Sequence, residues 1–200
     1  MASRALFITQ LYTAKLDEPA LLGTLEQSCR VLARDDEAGQ AWSKANQFTG
    51  YTSYCSIEDL LRRDPCFTQL RKIIDNHVKR FAALCGFDLQ SHKLKMHNIW
   101  INVMEPGGVH GSHIHPKSVI SGTLCVTAPE GSGALQLEDP RLVQMMAAPR
   151  RNDKVPEPLR NYVQINPEPG ALHLWEGWLR HEVLQHRGES ERISISFNYR

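Results

Sequence analysis

The sequence predicts an α+β fold, with helices in the first half packed on one sheet of an antiparallel double-sheet jelly roll built by the second. Two observations carry this. Up to residue 92 the apolar residues recur mainly at helical spacing; from residue 93 the period shortens to two, in short runs rich in β-branched and aromatic residues. Helices followed by a series of short, turn-punctuated strands segregate into layers, and a double-sheet jelly roll is the natural closure of such a strand series. The 200 residues fit one domain whose core needs no disulfide staples, with 1–92 as mainly helical support and 93–200 as the jelly-roll core.

Each element has its own signal. "LFITQLY" (6–12) reads as a short strand. "DEPALLGTLEQSCRVLAR" (17–34) is a helix, with Asp17 as cap, Pro19 in the first turn, and Leu21, Leu25, Cys29 and Leu32 on one stripe. Residues 35–55 read as polar and irregular. "SIEDLLRR" (56–63) suggests a short helix capped by Ser56. "DPCFTQLRKIIDNHVKRFAALCG" (64–86) is the strongest helix: Asp64 caps, Pro65 opens and Gly86 ends it. Its stripe of Leu70, Ile73, Ile74, Val78, Phe81 and Cys85 includes His77, read as a half-buried, hydrogen-bonded histidine. The strand runs follow as "LKMHNIWINVM", "SVISGTLCVTAP", "GALQLEDP", "NYVQINPEPG", "ALHLWEG" and "RISISFNYR". Residues 141–160, with three prolines and many charges, interrupt the series as a long loop.

Composition removes several classes. The 23 basic residues balance 22 acidic ones, leaving no footprint for nucleic acid or an anionic membrane. The basic run "PRRNDK" reads as a solvated loop. The first residues do not read as a targeting signal, and no apolar run reaches the roughly 18 residues of a membrane span. Five scattered cysteines without a CxxC pair read as reduced, and point to the cytoplasm.

"GSHIHPKSVISG" (111–122) holds His113 and His115, with His110 just upstream. In an extended segment, residues two apart share a face, so both imidazoles can meet one metal. The third ligand must come from a neighbouring strand, and His181 in "WLRHEV" is the candidate. Such a set suits iron or another first-row divalent ion; zinc is the competing reading. Eleven residues on, alternation puts Arg192, Ser194, Ser196 and Asn198 on one strand face. An inward arginine demands an anion, either a bound carboxylate or a protein one such as Glu182 or Glu138.

His-x-(Asp/Glu/His)…His followed by Arg-x-Ser resembles the iron(II)- and 2-oxoglutarate-dependent oxygenase superfamily. "WINVMEPGGVHGSHIHPKSVISGT", "GALQLEDPR", "GWLRHEV" and "ERISISFNY" resemble more closely one small, largely bacterial family within it, and "LFITQLY" and "GYTSYCSIEDL" extend the likeness over nearly the whole chain. The resemblance implies a double-stranded β-helix of cupin-like form. It implies His113, His115 and His181 as ligands of Fe(II), and Arg192 with Ser194 as the socket for the distal carboxylate of 2-oxoglutarate. The implied activity is hydroxylation by dioxygen of a small-molecule or peptide substrate, with release of succinate and carbon dioxide.

The chain departs from that pattern in two ways. His115 stands where the superfamily usually has a carboxylate, and Leu124 and Cys125 follow "SGT" where the close family tends to have tyrosines. A three-histidine cupin-type dioxygenase that does not use 2-oxoglutarate, and a metal-binding relative without turnover, therefore stay open. So does His110 in place of His115. Trp100, Asn102, His110, Arg141, Trp178 and Asn198 are the candidate substrate contacts. Substrate identity and oligomeric state are left open.

Overall fold

The computed structural model describes residues 4–141, 146–152 and 154–200. The elements run β1 (Tyr12–Lys15), α1 (Pro19–Asp35), α2 (Glu37–Ala45), β2 (Gly50–Thr52), α3 (Leu60–Arg63), α4 (Pro65–Leu84), β3 (Met96–Met104), β4 (His110–His113), β5 (Ile120–Thr127), β6 (Leu135–Glu138), β7 (Tyr162–Ile165), β8 (Ala171–Glu176), β9 (His181–Val183) and β10 (Arg192–Tyr199). They form a six-stranded sheet, β1-β8-β5-β10-β3-β2, and a four-stranded sheet, β4-β9-β6-β7, with every pairing antiparallel. From β3 to β10 the chain alternates between the two sheets as a jelly roll does, except that β6 and β7 pair with each other in the four-stranded sheet.

The six-stranded sheet is buried on its helical face. Ile99, Ile101, Val103, Leu124, Ile193, Ile195 and Phe197 alternate along β3, β5 and β10, and meet Leu25 and Cys29 of α1 and Phe67, Leu70, Ile74 and Phe81 of α4. Each fully buried side chain of this size contributes about 1.5–3 kcal/mol. This core sets the register of the central strands. A one-residue slip would turn the polar set Arg192, Ser194, Ser196 and Asn198 into the helices. A smaller cluster of Leu135, Leu137, Trp175 and Leu179 is capped by Leu11 and Ile165.

Several expectations need correction. Strand β1 begins at Tyr12, so "LFITQLY" is mostly outside it; Leu6, Phe7 and Ile8 are exposed. Helix α1 has Glu18, not Asp17, at its cap, without a side-chain hydrogen bond, and α3 starts after Asp59 rather than at Ser56. Ser56 instead donates to Asp36. Residues 35–55 are not irregular: they hold α2 and β2. Asp36 caps α2 by accepting from the Gly39 amide at 3.1 Å, and the Tyr51 hydroxyl donates to the same carboxylate at 2.7 Å. A Cβ at Gly39 would stand 2.3 Å from Asp36 Oδ2 and 2.6 Å from the Tyr51 ring, so only glycine permits this packing. β1 and β2 join the six-stranded sheet beside the mainly helical remainder of the first half.

Asp64 does cap α4, accepting from the Cys66 amide, and Pro65 opens it. His77 is half-buried and accepts or shares a hydrogen bond with the Tyr12 hydroxyl at 2.9 Å, which ties β1 to α4. All five cysteines are free. Of the stretch expected as a long loop, residues 142–145 and 153 lie outside the described residues; the described part holds no strand, and a short 3-10 turn spans Glu157–Leu159. No helix among the described residues is long and apolar enough to cross a membrane.

Candidate metal centre

His113, His115 and His181 each bring one ring nitrogen to a common point, all within 4.8 Å of one another. Two local devices deliver them. His113, the last residue of β4, lies directly opposite His181, the first of β9, so the cross-strand register alone pairs these rings at 4.3 Å between centroids. His115 lies beyond the strand, where the chain leaves β4 for the turn at Pro116–Lys117. The "HIH" segment is therefore not one continuous strand. Its position is held by its own amide, which donates to the Gly177 carbonyl at 2.9 Å. A Cβ at Gly177 would come within 2.3 Å of the Ser118 carbonyl oxygen, so glycine is what lets the two loops meet.

The free ring nitrogens follow from the hydrogen bonds. His113 Nδ1 lies 2.7 Å from the Gly111 carbonyl and His181 Nδ1 lies 2.9 Å from the Leu179 carbonyl. A carbonyl only accepts, so both rings carry the proton on Nδ1 and present an unprotonated Nε2. His115 Nε2 stands 3.2 Å from His181 Nε2, the separation roughly expected of two nitrogens at about 2.0–2.1 Å from one ion. Burial is the first cause that pushes His115 down to about 4 and His181 down to about 3, with neighbouring rings adding to it. Burial also lowers His113. Three clustered imidazoles that resist protonation make a ready site for a divalent ion. No Asp or Glu belongs to the cluster.

His110 stands outside the triad. Its ring stacks on His113 at 4.3 Å and meets Phe48 edge-on at 5.9 Å. Burial pushes it down to about 4.

Arg192 lines the same cavity as the triad and is 4% exposed. Among the described residues its one side-chain hydrogen bond runs from Nη1 to Ser194 Oγ at 3.2 Å, and its Nε is buried without a partner. The protein carboxylates that could have neutralised it are engaged elsewhere: Glu182 accepts from Gln136, and Glu138 faces Arg180. Burial accordingly depresses the guanidinium's affinity for its proton, with the Cys125 thiol facing it as a weak opposing influence. Leu124 points into the helical core instead.

The other expected contacts divide. Trp100 and Asn102 are buried and line the cavity; Trp100 lies 5.8 Å from the His115 ring, and Asn102 accepts from Thr52 and donates toward Ser196. Asn198 lines an adjoining chamber of about 360 Å³. Arg141 does not reach either cavity. Its guanidinium is spent on Asp139, through two bonds of 3.0 and 2.9 Å. Trp178 is neither core nor lining: it is 46% exposed, with its indole nitrogen on Glu176.

Sequence reasoning missed Trp42, Phe48, Thr52 and Tyr54, which wall the chamber from α2, β2 and the segments beside them. Their aromatic and polar spacing carries no period. The cluster Trp42–Phe48–Tyr54 in a polar stretch was the available signal. Trp175 was missed too. It is 2% exposed, packs edge-on against His181 at 4.6 Å, and its Nε1–H has no partner. Larger grooves exist on the helical surface, one of about 890 Å³ beside α4. The histidine cavity and its chamber are distinguished by chemistry. Of four buried side-chain atoms without a hydrogen-bond partner among the described residues, three belong to residues lining them: Arg192, Trp175 and Asn98.

Comparison with known proteins bears on this arrangement. The sequence profile of a family described as "Putative 2OG-Fe(II) oxygenase" matches residues 98–198. No curated protein matches the chain in sequence. Among solved structures, a Pseudomonas putida prolyl-4-hydroxylase superposes over 96% of this chain and 94% of its own, at 18% identity and TM-score 0.63. HygX from Streptomyces hygroscopicus, with nickel and 2-oxoglutarate bound, superposes over 96% and 81%, at 12% identity and TM-score 0.60. An oxidoreductase of the 2OG-Fe(II) oxygenase family from Burkholderia pseudomallei aligns over 67% of this chain at 20% identity and TM-score 0.49, and the chain spans 57% of that protein's length. The first two likenesses establish the fold as a double-stranded β-helix.

Proposed function

The chain belongs to the 2OG-Fe(II) oxygenase family, and from that premise we propose that it hydroxylates a small-molecule or peptide substrate with dioxygen, converting 2-oxoglutarate to succinate and carbon dioxide. The observation that carries this reading is Arg192, a fully buried guanidinium with no acidic partner among the described residues, in the same cavity as three converging imidazoles. An unpaired buried cation is strongly disfavoured unless an anion completes it.

The residues fit both groups. His113, His115 and His181 would hold iron(II), His113 and His181 through Nε2 atoms left unprotonated because their Nδ1 protons go to backbone carbonyls. Iron, when bound, supplies the redox chemistry by which dioxygen is activated at the expense of 2-oxoglutarate. Three neutral ligands leave the ion's full charge uncompensated, which favours a dianionic co-substrate beside it. Arg192 offers its fork to the distal carboxylate and Ser194 supports the guanidinium. Trp175 offers a second unpaired donor in the same cavity, near His181. Trp42, Phe48, Tyr54 and Trp100 give the adjoining chamber aromatic walls on the substrate's side.

The triad's lack of a carboxylate keeps one other enzyme reading alive, a three-histidine dioxygenase whose Arg192 holds a substrate carboxylate. Succinate release separates them. Anaerobic iron(II) with 2-oxoglutarate should give a weak visible band, and aerobic incubation should release succinate slowly even without substrate. Oxygen consumption that ignores 2-oxoglutarate would sink the favoured reading; metal binding with no oxygen consumption would point to a non-catalytic relative. We read residues 1–200 as one oxygenase domain, and the free cysteines suit a cytoplasmic site of action.

A further inference from the structure

The 360 Å³ chamber beside the histidines carries information about the substrate. We propose that the substrate presents an uncharged amide to this chamber, and is not a free amino acid, an organic acid or a nucleotide. The proposal rests on the oxygenase reading above.

Charge comes first. Among the described residues lining the chamber there is no Asp, Glu, Lys or Arg. The ion that His113 and His115 would hold at its edge is matched by the dianionic co-substrate, so a carboxylate, ammonium or phosphate brought to the rest of the chamber would shed its water and find no permanent opposite charge. The group that enters is therefore neutral.

Hydrogen bonding then narrows the class. Asn98 and Asn198 are direct partners across β3 and β10, and both line the chamber. Asn98 Oδ1 is a buried acceptor with no partner. Ser121 donates to Asn198 Oδ1 at 2.7 Å, which fixes that carboxamide and leaves its Nδ2 as the donor end. One residue thus lacks a donor while its neighbour has a donor to give. A group with an N–H and a C=O side by side answers both, and an amide is that group. Asn102 is not available for this role, because Thr52 and Ser196 already occupy its two ends.

Shape agrees. Trp42, Phe48, Tyr54 and Trp100 offer flat apolar walls around this polar floor, with Tyr54 edge-on to Trp100 at 5.1 Å. The volume lies near the lower end of the roughly 300–1,000 Å³ of ligand pockets, so it takes a fragment of about one residue. Such an amide has two sources, the interior of a peptide or a small amide compound.

The test uses the full chain loaded with nickel(II) and 2-oxoglutarate, read by tryptophan fluorescence, since Trp42 and Trp100 wall the chamber. The probes are N-acetyl-leucinamide, N-acetyl-prolinamide and N-acetyl-glutaminamide, the parent free amino acids, and adenosine monophosphate. Blocked amides should bind at least about tenfold more tightly than the free acids or the nucleotide, and in the iron-loaded chain they should accelerate succinate release. A decapeptide containing the best residue distinguishes the sources: tighter binding means a peptide interior, equal binding a small amide. Asn98→Leu should weaken the blocked amide about five- to tenfold through the lost hydrogen bond. Tyr54→Ala, at a half-exposed position that the fold does not depend on, should weaken it several-fold. If free amino acids bind as well as blocked ones, if no blocked amide binds, or if both variants bind unchanged, the amide assignment is overturned. Uncoupled succinate release from 2-oxoglutarate in the same preparation keeps the oxygenase reading standing in that case. Failure of that release would remove the oxygenase reading instead, while fluorescence of the metal-free chain still decides what the chamber binds.

Discussion

His113 and His181 face each other across the β4–β9 pair, and each gives its Nδ1 proton to a backbone carbonyl two residues earlier in its own chain, Gly111 and Leu179. The backbone thus fixes both tautomers before any ion arrives. His181→Ala should lower nickel or iron affinity by more than about a hundredfold, since even losing a supporting contact around a ligand typically costs 10–100-fold. Circular dichroism should show the fold retained. Full metal occupancy in this variant would remove His181 from the centre.

His115 and His110 make a sharper pair. His115 shares the cluster point while His110 only stacks on its flank. His115→Ala should sharply weaken metal binding, His115→Asp should retain it, and His110→Ala should leave it within a few-fold of wild type. Metal titration monitored by isothermal calorimetry decides. The reverse order of effects would exchange the two assignments.

Arg192 predicts opposite effects on stability and binding. Replacing even a buried ion pair by apolar residues is often neutral or stabilising by about 1–4 kcal/mol, and a buried charge without its counter-ion has less attraction to lose. Arg192→Met should therefore melt no lower than wild type without ligand. Its dissociation constant for 2-oxoglutarate should rise about ten- to a hundredfold, from the loss of a charge-assisted bond of roughly 1.5–3 kcal/mol. Arg192→Lys should recover only part, because a point charge lacks the fork. Unchanged 2-oxoglutarate binding in the methionine variant would place the carboxylate socket elsewhere.

Trp175→Phe keeps the ring against His181 and deletes only the unpaired N–H. The variant should be at least as stable as wild type without ligand and should bind 2-oxoglutarate several-fold more weakly, the scale of one neutral hydrogen bond. If calorimetry shows equal affinity, the indole nitrogen plays no part in holding the co-substrate.

The pH dependence of the metal-free chain follows from the buried rings. In the unfolded chain a histidine titrates near 6.5, whereas burial holds His110 and His115 near about 4 and His181 near about 3. Between these values the unfolded state binds the extra protons, so stability is full above about pH 6.5 and declines as pH falls toward 4 and 3. Thermal melts from pH 7.5 to 4 should show this decline, and a saturating divalent ion should raise the melting temperature most at the upper end. A flat melting profile across that range in the metal-free chain would contradict the buried, neutral state of the cluster.

Much of this was legible in the sequence because it is local. The period change near residue 93, the Asp64–Pro65 start of α4, and the alternation that turns Arg192, Ser194, Ser196 and Asn198 to one face each need only neighbouring residues. The three histidines and Arg192 were nameable for the same reason, aided by family resemblance. The strand expected over "LFITQLY", which begins only at Tyr12, and the hidden α2 and β2 show the limit. α2 is a nine-residue helix, too short to be stable by propensity alone. It exists because Asp36 caps it, Tyr51 reaches the same carboxylate, and Ser43 accepts from the Thr52 amide. Those contacts span up to 15 residues and leave no periodic trace.

What only the tertiary structure decided is which groups are left without partners. Arg141 and Arg192 look equally available in the sequence, yet Asp139 takes the first, two residues away, while the second is sealed between sheets with only Ser194. The same holds for Asn98 against Asn102, and for Trp175 against Trp178. Residue types and alternation follow from the chain itself. Hydrogen-bond satisfaction is a property of the closed fold, because it depends on which side chains from distant segments arrive within about 3 Å, and that is what turns a row of polar residues into a site.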